Sequence, residues 1–138
     1  MNKKFLKVEL DFDFKLISVT SQLKDYRLCY HINKNLSFNF TKIDDLEIKY
    51  TGLAARYHSR YLHQYNEFSP QFYLIANKGT ESYLIPELKE TDYFIIIKNF
   101  IDEEDLDYFL NGLKQIKDIQ VAVEIEPHRL KSKENLLF

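Results

Sequence analysis

The sequence contains few of the residues that interrupt or cross-link a chain. Of its 138 residues, three are glycine, three are proline, one is cysteine and none is tryptophan. So few glycines and prolines argue against a loop-rich or disordered protein. The single cysteine, Cys29, excludes an intramolecular disulfide and a cysteine-based zinc site, which is typical of a reducing compartment. Because no apolar run is long enough to span a membrane, we expect a cytoplasmic protein with no membrane partner.

The chain also lacks an excess of charge of either sign. Its net charge of −2 argues against a nucleic-acid partner, since nucleic-acid-binding proteins usually carry a basic excess. A hydrophobic content of 45%, with 15% aromatic residues, is enough for a substantial core. The length predicts one domain over residues 1–138. Within it, we expect the charged stretch 128–138 to be a loosely attached tail.

The first third of the chain predicts a strand and then a helix. Apolar residues occupy the even positions from 6 to 16 and charged residues the odd ones, which predicts a strand with one wet face. The alternation breaks where Ile17 follows Leu16, so we expect a bulge or bend there. Thr20 or Ser21 can then cap a helix that ends near position 36.

The remaining patterns predict further strands around a second helix. Tyr93 to Ile97 is apolar on both faces, which predicts a strand in the centre of a sheet. Asp102 is a good N-cap for an amphipathic helix. The other predicted strands are 37–41 and 46–50 (or one long bent strand), 54–65, 71–76 and 119–126. This order predicts a two-layer α+β sandwich, with an antiparallel or mixed sheet of about six strands and two helices on one face.

The approach to the predicted central strand resembles a known signature. Ile85-Pro86-Glu87, followed after three residues by Thr91-Asp92-Tyr93, is similar to the signature of the small bacterial proteins called the IPExxxVDY family, with Thr91 in place of valine. A second block, Phe14-Lys15-Leu16-Ile17 leading to Lys24-Asp25-Tyr26-Arg27-Leu28 and Asn33-Lys34, also resembles that family. The resemblance implies a small cytoplasmic bacterial protein, but it assigns no activity, catalytic residue or cofactor.

Three carboxylates, Glu87, Asp92 and Asp25, form a candidate polar site. A general acid/base pair needs carboxylates in different environments with a substrate between them. The structural alternative is favoured. In it, Asp92 binds loop amides at the start of the strand, while Glu87 faces solvent or an arginine. Asp25 lies on the apolar side of the predicted helix, where it needs an ion pair or a hydrogen bond to a tyrosine.

The predicted strand 54–65 supplies the candidate interaction residues. Tyr57 and Tyr61 share one face, and Arg56 and Arg60 share the other. We expect this strand to lie towards the edge of the sheet, and any homodimer or partner interface to include Tyr57 and Tyr61. An outer strand whose rings lie on the sheet is favoured over a protein contact, and a nucleic-acid site in which the rings stack on bases ranks last. Arg27, on the first helix, is either a further partner contact or a solvated side chain.

No other pattern indicates chemistry. His58 and His63 fall on opposite faces of a regular strand, so they cannot share a metal ion, and no metal-binding motif is present. Cys29 lies on the apolar helix stripe, which indicates an inert thiol. The sequence therefore yields no catalytic, metal or cofactor residue, which favours a protein that is not an enzyme. Our first hypothesis is a non-enzymatic protein-interaction or regulatory module. The alternative is a small-ligand binder or enzyme with an unfamiliar carboxylate site near Glu87, Asp92 and Asp25.

Overall fold

A computed structural model describes residues 13–138, so most of the predicted strand at 6–16 lies outside the described residues. The elements are β1 (Lys15–Ser21), α1 (Asp25–Leu36), β2 (Thr41–Ile48), β3 (Arg56–His63), β4 (Gln71–Ala76), β5 (Tyr93–Lys98), α2 (Glu103–Lys114) and β6 (Ile119–Ile125). Short 3-10 turns occur at Pro86–Leu88, Pro127–Arg129 and Lys133–Leu136. The six strands form one sheet in the order β2-β3-β4-β5-β1-β6, in which every neighbouring pair is antiparallel.

The sheet is buried on both of its faces. Both helices pack on one face, where Leu28 and Ile32 of α1 and Leu113 of α2 meet apolar side chains of the strands. This confirms the predicted α+β sandwich with two helices on one face. The second face is covered by irregular segments instead, through buried residues Leu84, Ile85, Leu130 and Leu136. Among residues 13–138, no helix is long and apolar enough to cross a membrane.

Two central strands are apolar on both sides because both faces are covered. β5 lies between β4 and β1, and its residues from Tyr93 to Ile97 are all buried, which confirms the predicted central strand. In β1, Leu16 and Ile17 are both fully buried, one on each face. The register of β1 is regular through Leu16 and Ile17, so the expected bulge does not lie there, and the chain bends at Phe14, just before the strand. The irregularity lies later, between Thr20 and Ser21.

Local signals account for the helix boundaries. The side chain of Asp102 accepts a hydrogen bond from the Asp105 N–H at 2.8 Å, so the predicted cap of α2 is confirmed. α1 begins at Asp25, later than predicted, because Ser21 is used elsewhere: its hydroxyl donates to the Asp118 carbonyl. The two helices meet where Gly112 of α2 faces Leu36, since a Cβ at position 112 would lie 2.4 Å from a Leu36 methyl carbon.

Candidate functional site

The stretch from Glu87 to Asp92 is fixed in place by its polar side chains. The Thr91 hydroxyl lies 2.6 Å from the Ser18 hydroxyl, with both residues buried. One Asp92 carboxylate oxygen accepts a hydrogen bond from the Ser21 N–H at 2.8 Å. Glu87 accepts hydrogen bonds from the N–H and hydroxyl of Ser132, at 2.8 and 2.9 Å. Burial would raise the pKa of Glu87, but these hydrogen bonds lower it below its ordinary value.

A fully buried asparagine, Asn77, holds the same segment from the other side. Its amide nitrogen donates to the carbonyls of Leu88 and Thr91, at 2.9 and 2.8 Å. Its amide oxygen accepts from the Ile85 N–H at 2.9 Å. The sequence shows only a turn at this position, so this anchor was missed. It explains how an irregular segment can cover a sheet face without leaving its backbone polar groups unpaired.

Asp25 lies on the helical face. Burial, and then the negative charges of Asp25 and Asp92, raise the pKa of the Tyr93 hydroxyl, so these two carboxylates lie near one tyrosine while Glu87 does not. The Asp25 carboxylate accepts a hydrogen bond from the Ser59 hydroxyl at 2.5 Å. Burial, followed by the negative charge of Asp25, raises the pKa of the Tyr61 hydroxyl to about 12. The same two causes raise the pKa of the Cys29 thiol to about 12, which keeps Cys29 protonated at neutral pH. Asp25 is thus held by a serine hydroxyl beside a tyrosine.

The structure does not gather the three candidate carboxylates around one space. Glu87 lies beside Ser132 over the second face of the sheet, Asp92 binds the β1 backbone, and Asp25 lies under the helical layer. Each therefore has a structural hydrogen-bond partner. Among residues 13–138, no group of three or more acidic, cysteine or histidine residues could hold a metal ion.

The candidate interaction residues of β3 fall in different environments. Tyr57 is 45% exposed, but Tyr61 is only 8% exposed and belongs to the core between the sheet and the helices. The expectation that Tyr61 is accessible to a partner is therefore wrong. β3 lies one strand in from the edge, and its backbone pairs with both β2 and β4, so it presents no free row of amides. The alternation of tyrosine with histidine and arginine suggested an outer strand, but both faces of β3 are covered. His58 is fully buried on the side opposite Tyr61.

The candidate arginines do not converge on one site. Arg56 pairs with Glu81 at 2.7 Å. The Arg60 guanidinium nitrogen Nε donates to the Asp44 carbonyl at 3.0 Å, and its charged group lies 5.1 Å from the centre of the Phe138 ring. Arg27 is exposed on α1. Arg56 and Arg60 therefore form local contacts and Arg27 is solvated, so the three arginines do not form one recognition surface.

The stretch 128–138 is packed against the second face of the sheet. Leu130 and Leu136 are buried, and the Asn135 side chain donates to the Leu84 carbonyl at 2.8 Å. The Phe138 ring lies edge-on to Tyr73, with ring centres 5.0 Å apart, and the Lys98 ammonium lies 3.9 Å from the Phe138 ring centre. Burial, and then the charge of Arg60, lowers the pKa of Lys98. The stretch 128–138, which we expected to be a loosely attached tail, thus makes contacts at Leu130, Asn135, Leu136 and Phe138.

A concave surface lined mainly by aromatic and apolar side chains lies on the helical side, where α1 ends and α2 begins. It is an open groove of about 360 Å³, which we call the aromatic groove. Three rings, Phe38, Phe72 and Phe109, pack together at its base. Phe38 stacks on Phe109 with ring centres 5.2 Å apart, and both rings meet Phe72 edge-on at about 5 Å. The other lining residues are Leu36, Tyr65, Ser69, Pro70, Ile101, Asp105 and Tyr108.

The rim of the aromatic groove exposes large rings to solvent. Tyr108 is 77% exposed and Tyr65 is 64% exposed. Phe68, beside the lining residues Ser69 and Pro70, is 89% exposed. The Tyr65 hydroxyl donates to the Ser37 carbonyl at 2.9 Å, which holds that ring in position. Clustered apolar exposure of this kind marks interaction surfaces rather than ordinary monomer surface.

The segment entering α2 is strained next to the groove. Asn99 and Phe100 have positive φ angles of 63° and 36°. Such a conformation is uncommon for a bulky residue and is unfavourable by about 1–3 kcal/mol. Phe100 is nevertheless 84% exposed, so its side chain gains little from packing. The next residue, Ile101, is buried and lines the groove, so the strained turn places the lining residue.

A buried histidine supports the base of the groove. The His63 ring stacks on Phe38 with centres 4.1 Å apart, and its Nδ1 accepts from the Asn39 N–H at 3.0 Å. Its Nε2 and the Nε2 of His58 have no hydrogen-bond partner among the described residues. Burial lowers the pKa of both histidines below the ordinary value, so both are neutral at pH 7. Each ring is therefore a packing element that is sensitive to protonation.

Sequence reasoning missed the aromatic groove, although one signal for it existed. Tyr108 falls outside the apolar stripe of α2, which consists of Leu106, Phe109, Leu110 and Leu113 and continues to Ile116 just beyond the helix. A large ring on the wet side of an amphipathic helix is the kind of exposure that marks a contact. Phe38 and Tyr65 gave no such signal, because only the fold brings them to α2.

Comparisons with protein-family models, with curated proteins and with solved structures returned no match for this chain. The resemblance of its Ile85–Tyr93 stretch to the IPExxxVDY signature therefore stays a prediction. The geometry does give that stretch a physical role: Glu87, Thr91 and Asp92 all form hydrogen bonds that fix the cover of the second sheet face.

Proposed function

We propose that this protein is a non-enzymatic interaction module that binds a segment of a protein partner in the aromatic groove. The observation that carries the proposal is the cluster of exposed rings around a concave apolar base. Aromatic residues dominate binding energy at protein interfaces because they bury a large area with little loss of side-chain freedom. Tyr65 and Tyr108 supply such rings in the groove lining, and Phe68 adds an exposed ring next in sequence to the lining residue Ser69.

The charges around the groove favour a particular kind of segment. Asp105 is the charged residue of the lining, and it lies in the first turn of α2 beside Glu103 and Glu104. Glu67, an exposed residue two positions before the lining residue Ser69, adds a further carboxylate. An apolar or aromatic anchor next to a lysine or arginine would complement this surface. The same acidic rim disfavours nucleic acid, whose phosphates need a basic surface.

The separate positions of Glu87, Asp92 and Asp25 argue against a small-ligand or enzyme site built from these three carboxylates. The earlier expectation that Tyr57 and Tyr61 form the interface is replaced by the groove, since Tyr61 lies in the core. Self-association remains a separate question, which concerns a different surface of the molecule.

The proposal can be tested with a displayed library of random peptides selected on the purified protein. We expect the selected peptides to share an apolar or aromatic residue next to a basic one. Their binding should perturb the NMR amide signals of residues around the groove. In the double variant Phe68→Ser, Tyr108→Ser, we expect binding of a selected peptide to weaken by at least about tenfold, since an anchoring ring contributes about 2 kcal/mol or more.

Matched variants separate the groove from general surface stickiness. Tyr26→Ser removes a ring that is 60% exposed on α1 but does not line the groove, so it should bind peptide like the parent. Asp105→Asn should weaken binding and reduce its salt dependence, because it removes the charge that complements the basic residue. Selected peptides that shift signals elsewhere, or that bind the double variant unchanged, would contradict the proposal.

A further inference from the structure

The edge strand β6 is a second surface that could bind a partner, because one side of its backbone is not paired within residues 13–138. Among residues 13–138, β6 pairs only with β1. Its sequence is Ile-Gln-Val-Ala-Val-Glu-Ile, with one charged residue and no proline or lysine. Val121 and Val123 lie on the same side of the sheet, and each is 47% exposed. Natural proteins rarely leave an apolar edge of this kind unprotected, because it can pair with another strand.

The opposite edge of the same sheet is protected. β2 contains four charged residues among eight, namely Lys42, Asp44, Asp45 and Glu47. Its pairing with β3 is also irregular between Ile43 and Leu46. Charge and irregularity are the usual devices that block edge pairing. Within residues 13–138 the two edges therefore differ mainly in charge: β2 carries four charged residues, whereas β6 carries one, and the irregularity of β6 is confined to its start, at Gln120.

The backbone hydrogen bonds show which groups of β6 are open. The Val19 carbonyl of β1 accepts a hydrogen bond from the Asp92 N–H, on the β5 side, at 2.9 Å. The N–H and C=O of a strand residue point to the same side, and successive residues alternate. Val19 therefore turns away from Ala122, its register partner in β6. By the same alternation, Ala122 and Glu124 direct their N–H and C=O groups to the open edge.

We propose that β6 pairs antiparallel with β6 of a second copy of this chain, which joins two sheets into one across a two-fold axis. With the axis at Ala122, Val121 lies opposite Val123 of the second copy, and Val123 lies opposite its Val121. The register of β6 skips Gln120, so Glu124 lies beside the irregular start of the second copy's strand, where no charged residue opposes it. The strand is thus self-complementary in side chains and in open backbone groups, as a two-fold interface requires.

A proline at position 124 tests this pairing selectively. The Glu124 N–H faces the open edge, so Glu124→Pro removes no hydrogen bond to β1 and suits an edge strand. Glu124→Ala is the matched control, because it removes the same carboxylate, including its 3.9 Å contact with Lys15, but keeps the N–H. Sedimentation over a range of concentrations should show a dimer for the parent and for Glu124→Ala. Glu124→Pro should weaken the dimer by at least about tenfold.

Amide hydrogen exchange gives an independent readout on the unmodified protein. The N–H groups of Ala122 and Glu124 should exchange fast in dilute protein and become protected as the concentration rises. Amides of β1 should not show this dependence. A parent that stays monomeric at millimolar concentration would overturn the proposal, and so would a dimer that is unaffected by Glu124→Pro.

A second variant keeps the test decisive if Glu124→Pro fails to fold. Val123→Lys places a charge on an exposed position at the proposed interface, and it should disrupt the dimer while leaving the circular dichroism spectrum unchanged. The groove variant Phe68→Ser, Tyr108→Ser should keep the dimer intact. A dimer lost in the groove variant but kept in Val123→Lys would place self-association on the helical side and overturn the β6 proposal.

Discussion

Replacing Asn77 by alanine tests whether one buried side chain holds the cover of the second sheet face. The substitution removes three hydrogen bonds, to Ile85, Leu88 and Thr91. The Leu88 carbonyl keeps a hydrogen bond from the Thr91 N–H, at 3.1 Å. The N–H of Ile85, a fully buried residue, is left without a partner. An orphaned buried group destabilises by about 1–3 kcal/mol, and a lost ordinary hydrogen bond by about 1 kcal/mol.

The expected loss for Asn77→Ala is therefore about 3 kcal/mol, most of it from the Ile85 N–H. For a chain of this length, that corresponds to a fall in melting temperature of about 10 °C. Urea unfolding followed by circular dichroism measures the free energy directly. Asn111→Ala, at an exposed position of α2, is the control and should change stability by no more than about 0.5 kcal/mol. If Asn77→Ala is as mild as this control, the anchoring role of Asn77 is refuted.

Asn77→Asp adds a dependence on pH to the same test. Aspartate cannot donate to the Leu88 and Thr91 carbonyls, and its charge would be buried beside them. Burial raises the pKa of such a carboxyl above its unfolded value, so the native state binds more protons than the unfolded state. The deficit of the variant relative to the parent should therefore shrink as the pH falls towards about 4. A deficit independent of pH would contradict a buried carboxyl at this position.

Three further predictions follow from burial. Ile96→Asp should unfold the protein at pH 7, because it places an unpaired charge on a fully buried central strand, and circular dichroism would show this. Tyr61→Ala should lower the free energy of unfolding by about 3 kcal/mol, whereas Tyr57→Ala should lower it by less than about 1 kcal/mol, and equal losses would disprove the difference in their burial. The native pKa of His63 is lowered from 6.5, so the unfolded state binds more protons on acidification. Stability should thus fall as the pH drops through and below 6.5, and less steeply in His63→Phe.

The parts of the fold that were predictable are those whose signals are local. The bounds of β4 match the predicted 71–76, and Asp102 caps α2, because turn and cap residues mark those boundaries directly. The apolar run from Tyr93 to Ile97 predicted its own central position, since a strand covered on both sides has no polar alternation. Such features depend on neighbours in sequence, which a single chain displays.

The features that were missed depend on residues far apart in sequence. The base of the aromatic groove combines Phe38, Phe72 and Phe109, which come from three separate segments. Tyr61 was misplaced because the helical layer extends over β3 and buries that ring, together with Leu28 and Cys29 of α1. Irregular segments cover the other face, where His58 is buried, so a mixture of histidine, tyrosine and arginine does not indicate an outer strand. Nothing local in the sequence marks Asn77 as the anchor of that cover.

The distribution of satisfied polar groups indicates where function should be sought. On the second sheet face, three polar side chains of the 77–92 segment are committed to structure: Asn77, Glu87 and Asp92 each bind backbone groups. Substrate binding there would have to displace those bonds and expose the core beneath. The aromatic groove and the β6 edge show the opposite condition, with large apolar side chains in solvent and open backbone groups at the edge. Since burying exposed apolar area and pairing open amides both stabilise an assembly, these two surfaces gain from a partner and the second face does not.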